Sequence, residues 1–245
     1  LEKSLICAEK GIPNIVYGMQ MAGTTTPATF AGCLAIANAE VLSQLVVIQL
    51  KRPGAAFIYG GMPSIMDMRT MIYSYGAPEK ALMVGALTEV AHDYKLPFYG
   101  TAGCTDAQTM GIQASVESTY NVLVSMLSGA DLVHNVGTMR GRWRVMEHIV
   151  LVNEIIDMAK VLMGGIDIND ETLALDLIER VGPGGNFLSE SHTAKHFRKF
   201  WAADIFDRGL SSKGDENSCE QLLKNKTIKI LQTHRPKPLP EDVVK

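Results

Sequence analysis

The feature that most limits the fold is a repeat: a short apolar run, then Gly and Thr, then a long helical stretch. Four such runs stand out. Asn14 to Met21 leads into AGTTTP, where Pro27 starts a helix predicted to run through Ala39 and Glu40 to about Leu50. Ala55 to Tyr59 leads into GGMPS. Leu96 to Tyr99 leads into GTAGCTDAQ, preceded by a helical stretch from Pro78 to Lys95. Leu132 to Asn135 leads into VGTMRGR, followed by a helix from about Trp143 to Met163. The runs lie roughly 35 to 40 residues apart, the size of a βα unit, so their strands are expected to pair in parallel.

Because the runs are apolar on both alternating faces, they suit strands packed on helices on one side and inside a barrel on the other. A doubly wound sheet uses the same units. Four units make half of a (β/α)8 TIM barrel, which takes about 250 residues in full. Residues 1–165 are therefore expected to be the C-terminal βα units of a barrel whose other units precede Leu1. The opening LEKSLICAEKG agrees, being a helix already in progress that Gly11 can end.

After Met163 the pattern changes. Asp170 is a candidate N-cap for a helix carrying Leu173, Leu175, Leu177 and Ile178 and ending near Gly182. A loop-rich stretch follows, then an amphipathic helix around Cys219 to Leu231 and a proline-spaced tail suited to an extended surface segment. Residues 166–245 are expected to form a helical and loop extension packed on the barrel.

With 245 residues and 47% hydrophobic content, the chain can bury a substantial core. No apolar run reaches the roughly 18 residues of a membrane span, and no signal peptide is apparent, so a soluble, cytoplasmic protein is expected. A formal charge of -3 without a basic stripe argues against nucleic acid. Cys7, Cys33, Cys104 and Cys219 lie far apart, which argues against disulfides and a CxxC metal knuckle.

Parallel βα architectures place their chemistry at the C-terminal ends of the strands. Those ends carry Gln20 with Thr24 to Thr26, Tyr59 with Gly60, Tyr99 with Cys104 and Asp106, and His134 with Asn135. Each has a bland alternative. The tyrosines can be packing, and His134 can point into the mouth or into the core. Cys104 can be a nucleophile, a zinc ligand or a small residue in a tight loop, while Asp106 can meet a substrate or cap the helix that follows. Glu147 falls in the first turns of a helix, where a carboxylate favours the dipole. His192 and His196 stand at i, i+4 without the glutamate of a HExxH motif, which fits a solvated face.

The segments GTTTPATFAGCLAIANAEVLSQLVVIQLKRPGAAFIYGG, GAPEKALM and LPFYGTAGCTDAQ, with MEHIVLVNEIIDMAK and ETLALDLIERVGPGGNFLSESHT downstream, resemble the trimethylamine:corrinoid methyltransferase family. The resemblance spans most of the chain. It implies a barrel that moves a methyl group from a methylated amine to the cobalt of a separate corrinoid protein, in methylamine metabolism of the kind that feeds methanogenesis. No cofactor would be tightly bound; the corrinoid (cobalamin) comes with the partner, and homo-oligomers are expected.

Family members acting on trimethylamine carry pyrrolysine just before a Ser-Asp-Ala-Lys-like stretch; here Cys104 takes that place, ahead of Thr105, Asp106, Ala107 and Gln108. The resemblance then implies a quaternary donor of the betaine type, which already carries its charge and can be held by aromatic faces. Cys104, Asp106 and His134 are the expected catalytic residues. Tyr17, Gln20, Tyr59, Tyr99 and Asn135 are the expected substrate-binding residues, with Phe98 a further cage candidate. Two other readings stay open: a zinc-dependent methyltransferase serving a thiol acceptor, and a non-catalytic barrel fragment.

Overall fold

A computed structural model describes residues 1–206, 208, 218–240 and 243. In chain order it has α1 (Glu2–Lys10), β1 (Asn14–Val16), β2 (Met21–Ala22), α2 (Phe30–Lys51), β3 (Phe57–Gly60), β4 (Ser64–Asp67) and β5 (Ile72–Tyr73). Then come α3 (Pro78–Asp93), β6 (Phe98–Thr101), α4 (Ile112–Leu127), β7 (Leu132–His134), β8 (Thr138–Met139), β9 (Trp143–Arg144) and α5 (Met146–Met163). The remaining helices are α6 (Asp170–Leu173), α7 (Leu175–Val181), α8 (Ser191–His196) with a 3-10 turn at Phe197–Lys199, and α9 (Cys219–Thr233).

The four expected strands pair in parallel in the order β1-β3-β6-β7. Sequential order and parallel pairing are what one wall of a barrel requires, while the described sheet itself is open at β1 and β7. Strand alternation decides which side chains face the helices. Phe57, Tyr59 and Phe98 point to one face and pack with Ala37, Val41 and Ile48 of α2 and Val84, Leu87 and Ala91 of α3. Burying a side chain such as Phe98 contributes about 1.5–3 kcal/mol. The opposite face is thinly covered, leaving Ile15, Tyr17 and Leu132 exposed.

Several boundaries differ from those expected. Asn14 to Met21 is two strands, because β2 leaves the main sheet to pair with β4, which pairs in turn with β5. Trp143 starts no helix: it lies in β9, hairpinned with β8, and α5 begins at Met146. The helix expected after Asp106 is α4, although the sequence set no bounds for it. Its buried face consists of Ala114, Ser118, Asn121, Val122 and Ser125, mostly small or polar, while Ile112 and Val116 are exposed, so the usual apolar stripe is missing.

Asn169, not Asp170, is the N-cap of α6, closing a capping box with Thr172, and the expected continuous helix breaks at Ala174, which has φ 49°. By length and apolar content α2 would qualify as a membrane span, although Glu40 interrupts its apolar run; in the structure it packs against α1, α3 and β3. In the C-terminal stretch, α6, α7 and α8 bury no side chain, whereas Ile205 and Leu223 enter a core with Leu151, Val152 and Ile155 of α5. Glu154 of α5 fixes that junction by accepting from the N–H groups of Asp204 (2.7 Å) and Ile205 (3.0 Å).

Candidate active site at the strand ends

Three aromatic rings meet where β1, β6 and β7 end. The rings of Tyr99 and His134 stack at 4.6 Å with 12° between their planes, and Tyr17 lies 5.9 Å from Tyr99 and 5.3 Å from His134. Strand β3 runs between β1 and β6, and its contribution here is Gly60. A Cβ on Gly60 would sit 2.8 Å from the Tyr17 Cβ and 3.0 Å from the Val16 carbonyl, so its absence lets Tyr17 lean across to Tyr99. Asn135 closes the group in a left-handed conformation (φ 68°), donating to Thr101 Oγ1 at 3.1 Å and to Met62 Sδ at 3.1 Å.

Burial holds the His134 imidazole below its usual range, helped by the charges of Lys80 and Arg144 and opposed by Asn135. Its buried Nε2 has no hydrogen-bond partner among the described residues. A neutral, partly unsatisfied imidazole therefore lies beside two phenol rings.

Cys104 follows β6 in a loop fixed by two side chains of α4. Asn121 accepts from the Gly103 N–H at 2.5 Å and donates to the Cys104 carbonyl at 2.8 Å. One turn earlier, Glu117 accepts from the Thr105 hydroxyl at 2.5 Å and the Asp106 N–H at 2.7 Å. The Cys104 sulfur is fully buried, 3.3 Å from the ammonium of an equally buried Lys80 and 3.6 Å from the Tyr75 carbonyl oxygen. Burial also pushes the Tyr73 phenol up, with Cys104 and Tyr75 adding to the effect, and that phenol donates to the Met62 carbonyl at 2.6 Å.

Asp106, Tyr59, Phe98 and Gln20 are not placed as expected. Asp106 caps no helix: its carboxylate accepts from the Ser74 hydroxyl and from the N–H groups of Tyr75 (2.7 Å) and Gly76 (2.9 Å), which ties the loop after β5 to the loop after β6. Tyr59 is absent from the aromatic group, because alternation along β3 turns it to the helix side. There it is fully buried, donates to Asn38 Oδ1 at 3.0 Å and packs on Phe98, which leaves the cage for the same reason. Gln20 turns toward α2, donating to Glu40 Oε2 at 2.5 Å.

A hairpin that the sequence reading missed rises beside this loop. Thr105 bridges to Met139, and Arg140 donates its N–H to the Thr105 carbonyl at 2.7 Å. Its turn has φ 47° at Arg140 and 64° at Gly141, and a non-glycine residue at the first of these positions is strained. The side chains of Arg140, Arg142 and Arg144 make no hydrogen bond or ion pair among the described residues, and Trp143 is 63% exposed. A cavity of about 160 Å³ between Asp67, Tyr73, Ser74, Asp106 and Arg140 lies under the hairpin.

Elsewhere, a larger cavity of about 710 Å³ lies in the C-terminal stretch beside Glu171 and His192. The rings of His192 and His196 are 4.3 Å apart, with Glu171 3.4 Å from His196. Among the described residues no group of three or more His, Cys, Asp or Glu is arranged to hold a metal ion.

A parallel βα protein with aromatic, thiol and imidazole groups gathered at its strand ends belongs to the class that does its chemistry at that end. The sequence places it further: residues 1–245 match the family described as Trimethylamine methyltransferase (MTTB), and the chain belongs to that family. It is 35% identical over 240 residues to a trimethylamine methyltransferase of Desulfitobacterium hafniense, covering 96% of this chain and 48% of the relative. A trimethylamine methyltransferase of Methanosarcina thermophila is 33% identical over 242 residues, covering 97% and 50%. A glycine betaine methyltransferase of D. hafniense is 36% identical over 204 residues, covering 82% and 43%. The chain spans about half the length of the curated relatives it matches.

Proposed function

We propose that these strand ends form part of the mouth of a (β/α)8 barrel that moves a methyl group from a methylated amine, by preference a quaternary one, to the cobalt of a corrinoid carried by a separate protein. The observation that carries this reading is the group of Tyr17, Tyr99 and His134 at the strand ends of an MTTB-family chain. Aromatic faces attract a cation, and a neutral imidazole adds no repulsion. The similarity to a protein named glycine betaine methyltransferase agrees with a donor whose nitrogen is permanently charged.

Reduced cobalt would attack the methyl carbon in line with the C–N bond. A C–Co bond forms, the C–N pair returns to nitrogen, and a neutral amine leaves. A quaternary nitrogen needs no proton for this, so the protein's work is alignment. Arg140, Arg142 and Arg144 fit that scheme by the sign of their charge. Three guanidinium groups beside the mouth would not assist a cationic donor, but they suit the carboxylates of an acidic acceptor protein. The zinc-dependent alternative gains no support, since Cys104 and His134 stand in no three-ligand group among the described residues.

The test is spectroscopic: cob(I)alamin is mixed with trimethylamine, dimethylamine, glycine betaine or other betaines and methylcobalamin formation is followed. It is run on this chain and on a family-length polypeptide carrying it. Methylcobalamin from a quaternary donor is expected; formation from trimethylamine alone would overturn the substrate assignment.

A further inference from the structure

Lys80 is the most unusual side chain in the molecule. It has no exposed surface, makes no ion pair with a carboxylate among the described residues, and directs its ammonium at a single partner, the buried sulfur of Cys104 at 3.3 Å. Neither residue is accounted for by packing alone. A buried ammonium requires a compensating anion, and the loop around Cys104 is held so firmly by Asn121 and Glu117 that the sulfur has no freedom to withdraw.

We infer that Lys80 and Cys104 form a buried ammonium–thiolate pair, with Lys80 acting as a positioning residue that keeps an anionic sulfur at the end of β6. The inference stands on this geometry and does not depend on the methyl-transfer reading. Its proton balance is internal: the S–H bond breaks, the proton joins the lysine amine, and the pair as a whole stays neutral. An ordinary ammonium holds its proton about two pH units more tightly than an ordinary thiol, so the proton prefers nitrogen before any contact energy is added. Attraction between opposite charges at contact distance in a poorly solvated site adds to that preference, while desolvation of both ions opposes it.

Tyr73 and Tyr75 lie beside the sulfur, and burial, first of all, raises both phenols above their ordinary range. Asp106 is tied up by Ser74, Tyr75 and Gly76. The competing arrangement is a neutral amine beside a thiol whose S–H donates to the Tyr75 carbonyl at 3.6 Å. On the paired reading, Cys104 carries a compensated negative charge and is not merely a small residue in a tight turn.

Thiolate absorbs in the ultraviolet where thiol does not, and the signal needs no reagent to reach the buried site. The difference spectrum between the protein and its Cys104→Ser variant, taken from pH 6 to 9, is expected to show one thiolate already present at neutral pH. In Lys80→Met the same signal is expected only at a pH higher by about one unit or more, and Lys80→Arg should restore it. Coincident spectra for the protein and Cys104→Ser at neutral pH would overturn the pair, and this comparison requires no Lys80 variant to fold. A thiolate signal that persists unchanged in a folded Lys80→Met protein would overturn the role of Lys80.

Discussion

Replacing Asn121 with alanine should expose how the Cys104 loop is held. Asn121 is 3% exposed and bridges two consecutive peptide units, accepting from the Gly103 N–H at 2.5 Å and donating to the Cys104 carbonyl at 2.8 Å. Alanine would leave both backbone groups buried without partners, at about 1–3 kcal/mol each, so the expected loss is roughly 2–6 kcal/mol. Domains typically have about 5–15 kcal/mol in total, which makes this a large fraction. Urea unfolding followed by circular dichroism should show the midpoint falling by about 1 M or more at unchanged slope. A loss under about 0.5 kcal/mol in Asn121→Ala would refute the claim that α4 fixes this loop.

Two other perturbations test neighbouring parts. His148 is fully buried between α4 and α5, contacts Ser118 at 2.7 Å, and is held below the ordinary histidine range by burial, with the Gly137 backbone opposing. Above about pH 6.5 it is neutral folded or unfolded. As pH falls below that value the unfolded chain takes up a proton that the folded one refuses, so stability should decline toward the lowered folded value. His134 is shifted in the same direction and should contribute likewise. His148→Gln should flatten the decline by up to about 1.4 kcal/mol per pH unit, and an unchanged slope would count against the argument. Gly60→Ala should push Tyr17 away from Tyr99, because the new Cβ would lie 2.8 Å from the Tyr17 Cβ. The tyrosine fluorescence and quenching of the cluster should change while the far-ultraviolet spectrum is kept, and identical fluorescence would contradict the packing described.

What could be read from the sequence was whatever left a local signature. Short apolar runs before Gly and Thr located the four strands of the β1-β3-β6-β7 sheet, and Gly11 ended α1 in the left-handed conformation that glycine favours. Tyr99, His134 and Asn135 were identifiable because strand ends are where parallel folds gather side chains, whereas Tyr17 came in only as a cage candidate for the quaternary donor that the resemblance implies. Alternation within a strand was the missed step: Tyr59 and Tyr99 look alike in the sequence, yet one faces α2 and the other faces His134. Lys80, Glu117 and Asn121 were not legible. Lys80 sits in an ordinary first helical turn, and only the tertiary fold brings its ammonium to Cys104. Glu117 and Asn121 stand at i, i+4, a usable hint, but α4 buries small and polar residues and so lacked the apolar period that marks a helix. The β8–β9 hairpin has strands of two residues each, too short for alternation to register.

The claim on which the account rests is that the ring faces of Tyr17 and Tyr99 hold a positively charged methyl donor for displacement by cobalt. It is tested most directly by kcat/KM for methylcobalamin formation from glycine betaine, comparing the family-length polypeptide with its Tyr99→Leu variant. A cation over an aromatic face is worth about 0.5–2 kcal/mol, so a fall of roughly 2- to 30-fold is predicted, with the fold retained. An unchanged kcat/KM in a folded variant would contradict the account, because the rings would then have no part in holding the donor.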